Sequence, residues 1–375
     1  MAEWIDCKIA DLGTVIGGAT PSTKRLEYYE NGSIAWITPK DLSTFRGRYI
    51  RRGERNITEI GLKSCSTQLL PKNTVLFSSR APIGYIAIAE NELCTNQGFK
   101  SVIPNENTDP LFLYYLLKYN KNKIESMGSG TTFKEVSGNT LKNILVSVPR
   151  DKKVQEQISS ILGAIDNKIE SNEKINNNLT QQAKTIYQAW FEKFILSNGS
   201  CPPTWKRGVL ADIANISSGK RPQIKSDKKI KGFEIPLVGA TSIVGFTNKA
   251  NYTNKILVIG RVGTHGIIQR INSPCWASDN TLVLTSKLYE YTFQVLQKID
   301  YHAINRGSTQ PLITQADMNK VDILIPDNQI LTKFESTVGQ LMQKYEANLM
   351  ENTKLAELRD YLLPRLMSGE LDINI

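Results

Sequence analysis

Between Asp151 and Phe194 a stripe recurs at Leu162, Ile165, Ile169, Asn172, Asn176, Leu179, Ala183, Ile186 and Trp190, with intervals alternating between three and four residues. That spacing, kept for about four heptads, predicts a long helix that buries one seam against a partner helix. The partner lies in the same chain. Val338, Leu341, Tyr345, Asn348, Asn352, Leu355, Arg359, Leu362 and Leu366 keep the same intervals, each 176 residues beyond its counterpart. Both stripes hold two asparagines at their middle, and an amide in an apolar seam costs free energy unless another amide meets it. An antiparallel register brings Asn172 to Asn352 and Asn176 to Asn348. It also sets Leu162 against Leu362, Ile169 against Leu355, Leu179 against Tyr345 and Ile186 against Val338. Ile165 falls opposite Arg359, whose stem is expected to turn its charged head outward to water. Two independent amphipathic helices are the competing arrangement; the matched asparagines favour an intramolecular antiparallel coiled coil.

Ahead of each helix the pattern changes to short β-branched or aromatic runs separated by polar turns, and it does so twice. Ala10-Asp11-Leu12 followed by Gly17-Gly18-Ala19-Thr20-Pro21 returns 201 residues later as Ala211-Asp212-Ile213 and Ser218-Gly219-Lys220-Arg221-Pro222. Ile34 to Asp41 matches Ile235 to Ser242, each a short buried strand ending in a polar turn. Asn73 to Arg80 matches Asn254 to Arg261, each followed by another strand (Tyr85 to Ala89, Ile267 to Ile271). An apolar helical patch comes next (Pro110 to Tyr119, Tyr289 to Ile299), then a polar loop. A last strand, Ile144 to Val148 or Val321 to Ile325, leads through Pro149 or Pro326 to Asp151 or Asp327, placed to cap the long helices. The expected division is a globular segment at 1–150, a helix at 151–196, a second globular segment at 197–326, a helix at 327–369 and a tail at 370–375. About 42 helical residues span roughly 60 Å, so a dumbbell with pseudo-twofold symmetry and neighbouring termini is expected.

Composition narrows the class. A chain of 375 residues with 40% hydrophobic residues can bury two sizeable cores. Neither a membrane-spanning run nor a signal-peptide pattern occurs, and a reducing cytoplasm is expected. The five cysteines are scattered without a C-x-x-C pair, and there are two histidines, so no disulfide framework or metal site is expected. The net charge of +10 is unevenly distributed. Residues 1–150 hold 19 Lys/Arg against 14 Asp/Glu and residues 196–327 hold 16 against 9, whereas residues 151–195 balance six against six. Positive charge therefore sits on the globular segments, as expected if they meet a polyanion and the helices do not; a surface tuned for solubility is the plain alternative. Catalytic signatures are missing. No phosphate-binding G-x-x-x-x-G-K-[ST], no G-x-S-x-G and no H-E-x-x-H occurs. The only Pro-Pro, in Cys201-Pro202-Pro203-Thr204, lacks the flanking residues of a base methyltransferase. The chain reads as a binder with no catalytic residue and no cofactor.

The two-copy design resembles the specificity subunits of type I restriction–modification systems. Phe77-Ser78-Ser79-Arg80 with Gly84, Thr95-Asn96-Gln97-Gly98, Pro149 leading into Glu156-Gln157-Ile158, and Leu362-Leu363 through Ser368-Gly369 carry the resemblance. It spans nearly the whole chain, although Ser278-Asp279-Asn280 stands where the first copy has Asn96-Gln97-Gly98. The resemblance implies an α+β fold of two pseudo-symmetric globular α/β target-recognition domains, separated by two long antiparallel helices forming a coiled coil. It also implies that each domain reads one half of a bipartite site on double-stranded DNA. The helices would set the gap and dock two adenine-methylating modification subunits, with restriction (translocase/endonuclease) subunits joining through the complex. A stand-alone sequence-specific DNA-binding or scaffold protein without a methylating partner is the alternative, and a self-contained methyltransferase or nuclease with degenerate motifs is a second.

Candidate DNA contacts come from the polar loops and basic runs of each segment. Arg80 and Arg261 follow strands at equivalent turns, where an arginine either reaches guanine or phosphate or ties down its own loop. Lys40, Ser79, Ser129, Thr131 and Thr132 lie in loops of the first segment, and Arg46 and Arg48 open a basic run that continues through Arg51, Arg52 and Arg55. Lys220, Arg221, Thr241, Thr264, His265, Ser308, Thr309 and Gln310 are their counterparts in the second. Asn96 and Gln97 either read adenine or brace the turn beside Gly98, with bracing favoured.

Overall fold

The structure, a computed structural model, describes residues 3–80, 82–130, 134–263, 266–306 and 312–371. The chain divides into two compact units, residues 1–173 with 349–375 and residues 174–348. Each unit takes one globular segment together with a stretch of both long helices. The sequence-based division at 150 and 326 follows the strand-to-helix boundaries; packing joins each segment to its helices.

The first unit builds a five-stranded sheet in the order Gly13–Gly17, Lys100–Pro104, Val75–Phe77, Ile86–Ala89, Tyr49–Ile50. A three-stranded sheet runs Arg55–Ile57, Ile34–Ile37, Cys94–Thr95, and Trp4–Lys8 pairs antiparallel with Leu145–Pro149. The second unit repeats this plan. Its larger sheet runs Asn215–Ser218, Thr281–Thr285, Ile256–Gly260, Ile268–Ile271; its smaller one runs Ile243–Thr247, Ile235–Val238, Trp276–Ala277. Lys206–Val209 pairs antiparallel with Asp322–Ile325. Even the single parallel pairing of each smaller sheet recurs, Ile34–Ile37 on Cys94–Thr95 and Ile235–Val238 on Trp276–Ala277. The larger sheets differ at their edge: among the described residues, the strand Tyr49–Ile50, parallel to Ile86–Ala89, has no counterpart in the second.

The apolar runs become the cores. Val75–Phe77 and Ile256–Gly260 are buried along their whole length, as continuous hydrophobic strands covered on both faces should be. The helix Pro110–Tyr119 keeps its expected bounds, buries Phe112 through Leu117 and is capped by Asp109, whose carboxylate accepts from Phe112 N–H at 2.7 Å. Leu162, Leu363 and Leu366 of the long helices share one core with Phe77, Phe112 and Tyr115. In the second unit Phe334 and Val338 share a core with Leu257, Tyr291 and Phe191.

The long helices run Lys152–Tyr187 and Asn328–Met367. In the first unit Asn172 Nδ2 donates to Asn352 Oδ1 at 2.8 Å and to Glu351 Oε2 at 2.8 Å. In the second, Asn348 Nδ2 donates to Asn176 Oδ1 at 2.9 Å. Partner numbers fall as the first helix rises, so the pairing is antiparallel. Leu179, Ile186 and Tyr345 pack partly buried onto the second core beside Val338, and Leu362 packs onto the first beside Leu162. Ile169 and Leu355 are half-buried. Arg359 departs from its expected outward turn: its Nη1 lies 2.9 Å from Asp166 Oδ1, and the other Asp166 oxygen accepts from Tyr115 Oη at 2.6 Å. The carboxylate one residue past Ile165 supplies a charge partner that the seam positions alone did not reveal.

Two ends also depart from the expected pattern. The first helix stops at Tyr187 and continues as a π turn over Gln188–Glu192, with Phe194 in a left-handed conformation, short of the expected residue 196. That turn brings Phe191 inward, 4.9 Å from the ring of Tyr291. Asp151 caps as expected, accepting from Lys153 N–H at 2.9 Å. The carboxylate of Asp327 instead accepts the Thr204 hydroxyl at 2.7 Å, because the second segment brings a hydroxyl beside the helix start.

Candidate nucleic-acid interface

Polar loops converge at one end of the strands in each unit, and the same backbone bonds hold both clusters. In the first, Ala19 N–H donates to Thr95 O at 3.1 Å, Asn96 N–H to Ile37 O at 3.0 Å, and Ser79 N–H to Gly98 O at 2.8 Å. In the second, Lys220 N–H donates to Ala277 O at 3.0 Å, Ser278 N–H to Val238 O at 3.0 Å, and Arg261 N–H to Asn280 O at 2.8 Å. Gly18 and Gly219 make this closeness possible. A Cβ on Gly18 would sit 2.2 Å from Thr95 O, and one on Gly219 2.0 Å from Ser278 O, distances no side chain tolerates. Sequence reasoning quoted both glycines but gave them no role; their shared place in the 201-residue repeat was the available signal.

The expected contact residues distribute unevenly around these clusters. Lys40 is exposed on the short helix Pro39–Thr44, and its ammonium meets Glu54 at 2.8 Å. That hydrogen bond holds the Glu54 carboxyl below the usual range. Arg46 is exposed and, among the described residues, makes no ion pair. Arg80 keeps a side chain 37% exposed, 3.5 Å from Glu135, which also faces Lys100 at 3.5 Å. Sequence reasoning missed both Glu135 and Lys100. Ser129 is exposed and pairs with Glu135 through the backbone. Asn96 braces the turn, its Oδ1 accepting Gly98 N–H at 2.9 Å.

In the second unit Arg221 and Thr241 line one cleft of about 860 Å³, together with Lys225, Gly263, Asp279 and Asn280. Lys220 is exposed, and its carbonyl accepts the Trp276 indole N–H at 2.6 Å. Arg261 is half-buried, and among the described residues its buried Nε has no hydrogen-bond partner. Thr131, Thr132, Thr264, His265, Ser308, Thr309 and Gln310 lie outside the described residues.

Two expected contacts are corrected. Ser79 is fully buried and its hydroxyl donates to Gly98 O at 3.2 Å, so it holds the loop from inside. Arg48 is 4% exposed and its Nε lies 2.9 Å from Glu170 Oε1 on the first long helix. Burial opposes its charge, but the bond to Glu170 together with the surrounding Tyr115, Glu170 and Asp166 groups holds the guanidinium firmly protonated. A basic run marks a charged face only if every member stays at the surface, and Arg48 turns inward while Arg46, Arg51, Arg52 and Arg55 remain exposed.

Among the described residues no group of three or more His, Cys, Asp or Glu is placed to hold a metal, and no helix is long and apolar enough to cross a membrane. The arrangement offers hydrogen-bond donors and positive charge on two copies of one loop scaffold.

The family model for the type I restriction modification DNA specificity domain matches this chain twice, over residues 1–181 and 202–359. The type I restriction enzyme MjaIX specificity subunit of Methanocaldococcus jannaschii is 33% identical over 99% of this chain and 94% of that protein. The HindI specificity subunit of Haemophilus influenzae is 21% identical, covering 99% of this chain and 100% of that one. Among solved structures, the type I restriction–modification S subunit from M. genitalium shares the fold with a TM-score of 0.65 at 19% identity, over 97% of this chain and 96% of that one. By a twofold family match and a relative aligned along nearly its full length, the chain belongs to the type I restriction–modification DNA specificity family.

Proposed function

We propose that this chain is the DNA sequence-specificity subunit of a type I restriction–modification complex. Each globular segment, 1–150 and 197–326, acts as a target-recognition domain for one half of a bipartite site on double-stranded DNA. The long helices fix the gap between the halves and dock two methyltransferase subunits, and restriction subunits join through that complex. The chain itself catalyses nothing and works in the cytoplasm. The duplicated loop cluster carries this reading: one scaffold, built twice on the two basic segments, exposes different side chains in each copy. Duplicate scaffolds with different surfaces suit a reader of two unlike half-sites. The exposed donors suited to bases or phosphates are Lys40, Arg46 and Ser129 in one copy, and Lys220, Arg221 and Thr241 in the other, with the half-buried Arg80 and Arg261 at equivalent turns beside them. Co-expression and purification test the assembly. Two methyltransferase chains should be recovered per copy, and the isolated chain should neither bind S-adenosylmethionine nor transfer a methyl group. Recovery of no methyltransferase would put a stand-alone DNA-binding protein in its place, and methyl transfer by the chain alone would make it an enzyme.

A further inference from the structure

In each unit the outermost strand of the larger sheet hands a buried arginine to a glutamate on a long helix. Arg48 stands directly before the edge strand Tyr49–Ile50, with Nε 2.9 Å from Glu170 Oε1 and Nη2 3.3 Å from Oε2. Its other amine lies 3.4 Å from Gly163 O, and the fork also reaches Asn167 Oδ1. Arg270 stands within the edge strand Ile268–Ile271, with Nη2 3.3 Å from Glu346 Oε1 and both amines on Glu290 at 2.6 and 2.8 Å. It is 9% exposed, and the Tyr289 and Phe293 rings flank it at 4.9 and 4.8 Å.

The two glutamates are related by the seam. Glu346 is 176 residues beyond Glu170, the offset that relates the two stripes. The arginines are not related in this way. The first sheet has an additional edge strand, and whichever strand is outermost supplies the arginine. Two non-equivalent strands thus reach one equivalent carboxylate. Buried ion pairs of this kind contribute little net stability compared with apolar replacements, but a forked guanidinium fixes direction where an apolar contact allows sliding.

We propose that the Arg48–Glu170 and Arg270–Glu346 contacts are positioning clamps. They fix the angle at which each recognition segment leaves its helix, and so sharpen the gap between half-sites that the chain accepts. This rests on the bipartite-reader function proposed above. The test uses the full chain, assembled with its co-purifying methyltransferase, to select from a pool of randomised double-stranded DNA, and reads both the half-site sequences and the gap between them. Glu170→Gln and Glu346→Gln should keep the selected half-site sequences, while discrimination against gaps one base pair off falls roughly tenfold. Should Glu170→Gln fail to fold, Arg48→Met with Glu170→Met leaves no unpaired buried charge and should give the same broadened gap. A folded variant with wild-type melting and an unchanged gap distribution would overturn the proposal. Wild-type selection of sequences with no bipartite form would overturn the functional reading itself, and the clamps' role with it.

Discussion

At the scale of single residues, the seam asparagines give the sharpest expectations. Because Asn172 donates directly to Asn352, replacing either alone with leucine strands its partner's amide at a cost of about 1–3 kcal/mol. Replacing both should cost less than the sum, and a double-mutant cycle in chemical denaturation measures the difference; additive effects would argue against a pairwise bond. These residues were legible because an amide on a seam must find a partner. Arg48 was not: its charge reads alike whether the side chain faces solvent or Glu170, and the nearest sequence clue lies 122 residues away. Cysteine behaves in the same long-range way. Cys94 and Cys275 are buried in separate cores, and burial pushes both thiols up to about 11 from an ordinary value of 9.0. Folded pKa values raised in this way favour the folded state below pH 9 and lose that contribution as pH rises toward 11. Alkylation of the native protein near pH 8 should therefore modify exposed Cys201 and spare both buried thiols, whereas the unfolded chain should react at all five.

At the scale of elements, periodicity foretold most of what forms and chemistry decided where it stops. The helix Pro110–Tyr119 and the strands Ile34–Ile37 and Ile256–Gly260 fall where apolar runs and bounding prolines or polar turns put them. The π turn after Tyr187 was invisible, because the seam continues in phase to Trp190 and nothing local breaks it; the aromatic core around Phe191 draws the backbone inward. Capping follows the same division. Asp151→Ala should loosen the first helix by about 0.5–2 kcal/mol, since it removes an acceptor for Lys153 N–H. Asp327→Ala should release the Thr204 contact instead and change protection at the helix start less. Hydrogen exchange at the amides of both first turns distinguishes the two, and equal losses would contradict the difference in their bonds.

At the scale of the whole molecule, the duplication organises everything else. The 201-residue offset of the opening loops and strands and the 176-residue offset of the helices expressed two similar halves along the sequence itself, while the added strand Tyr49–Ile50 hid in a basic stretch without an apolar run. Under the proposed function, removing one heptad from each helix takes away about 10 Å of rise, close to three base pairs of DNA. Methylated sites mapped by single-molecule sequencing should then show a gap shorter by about three base pairs; an unchanged gap would mean that the helices are not the ruler. The paired amides add a further restriction. A slip of seven residues would set Asn172 against Arg359 or Tyr345, and Asn176 against Leu355 or Leu341, stranding amides in either direction. Sliding is thereby penalised, so a change of reach calls for equal insertions in both rods that leave every amide facing its mate.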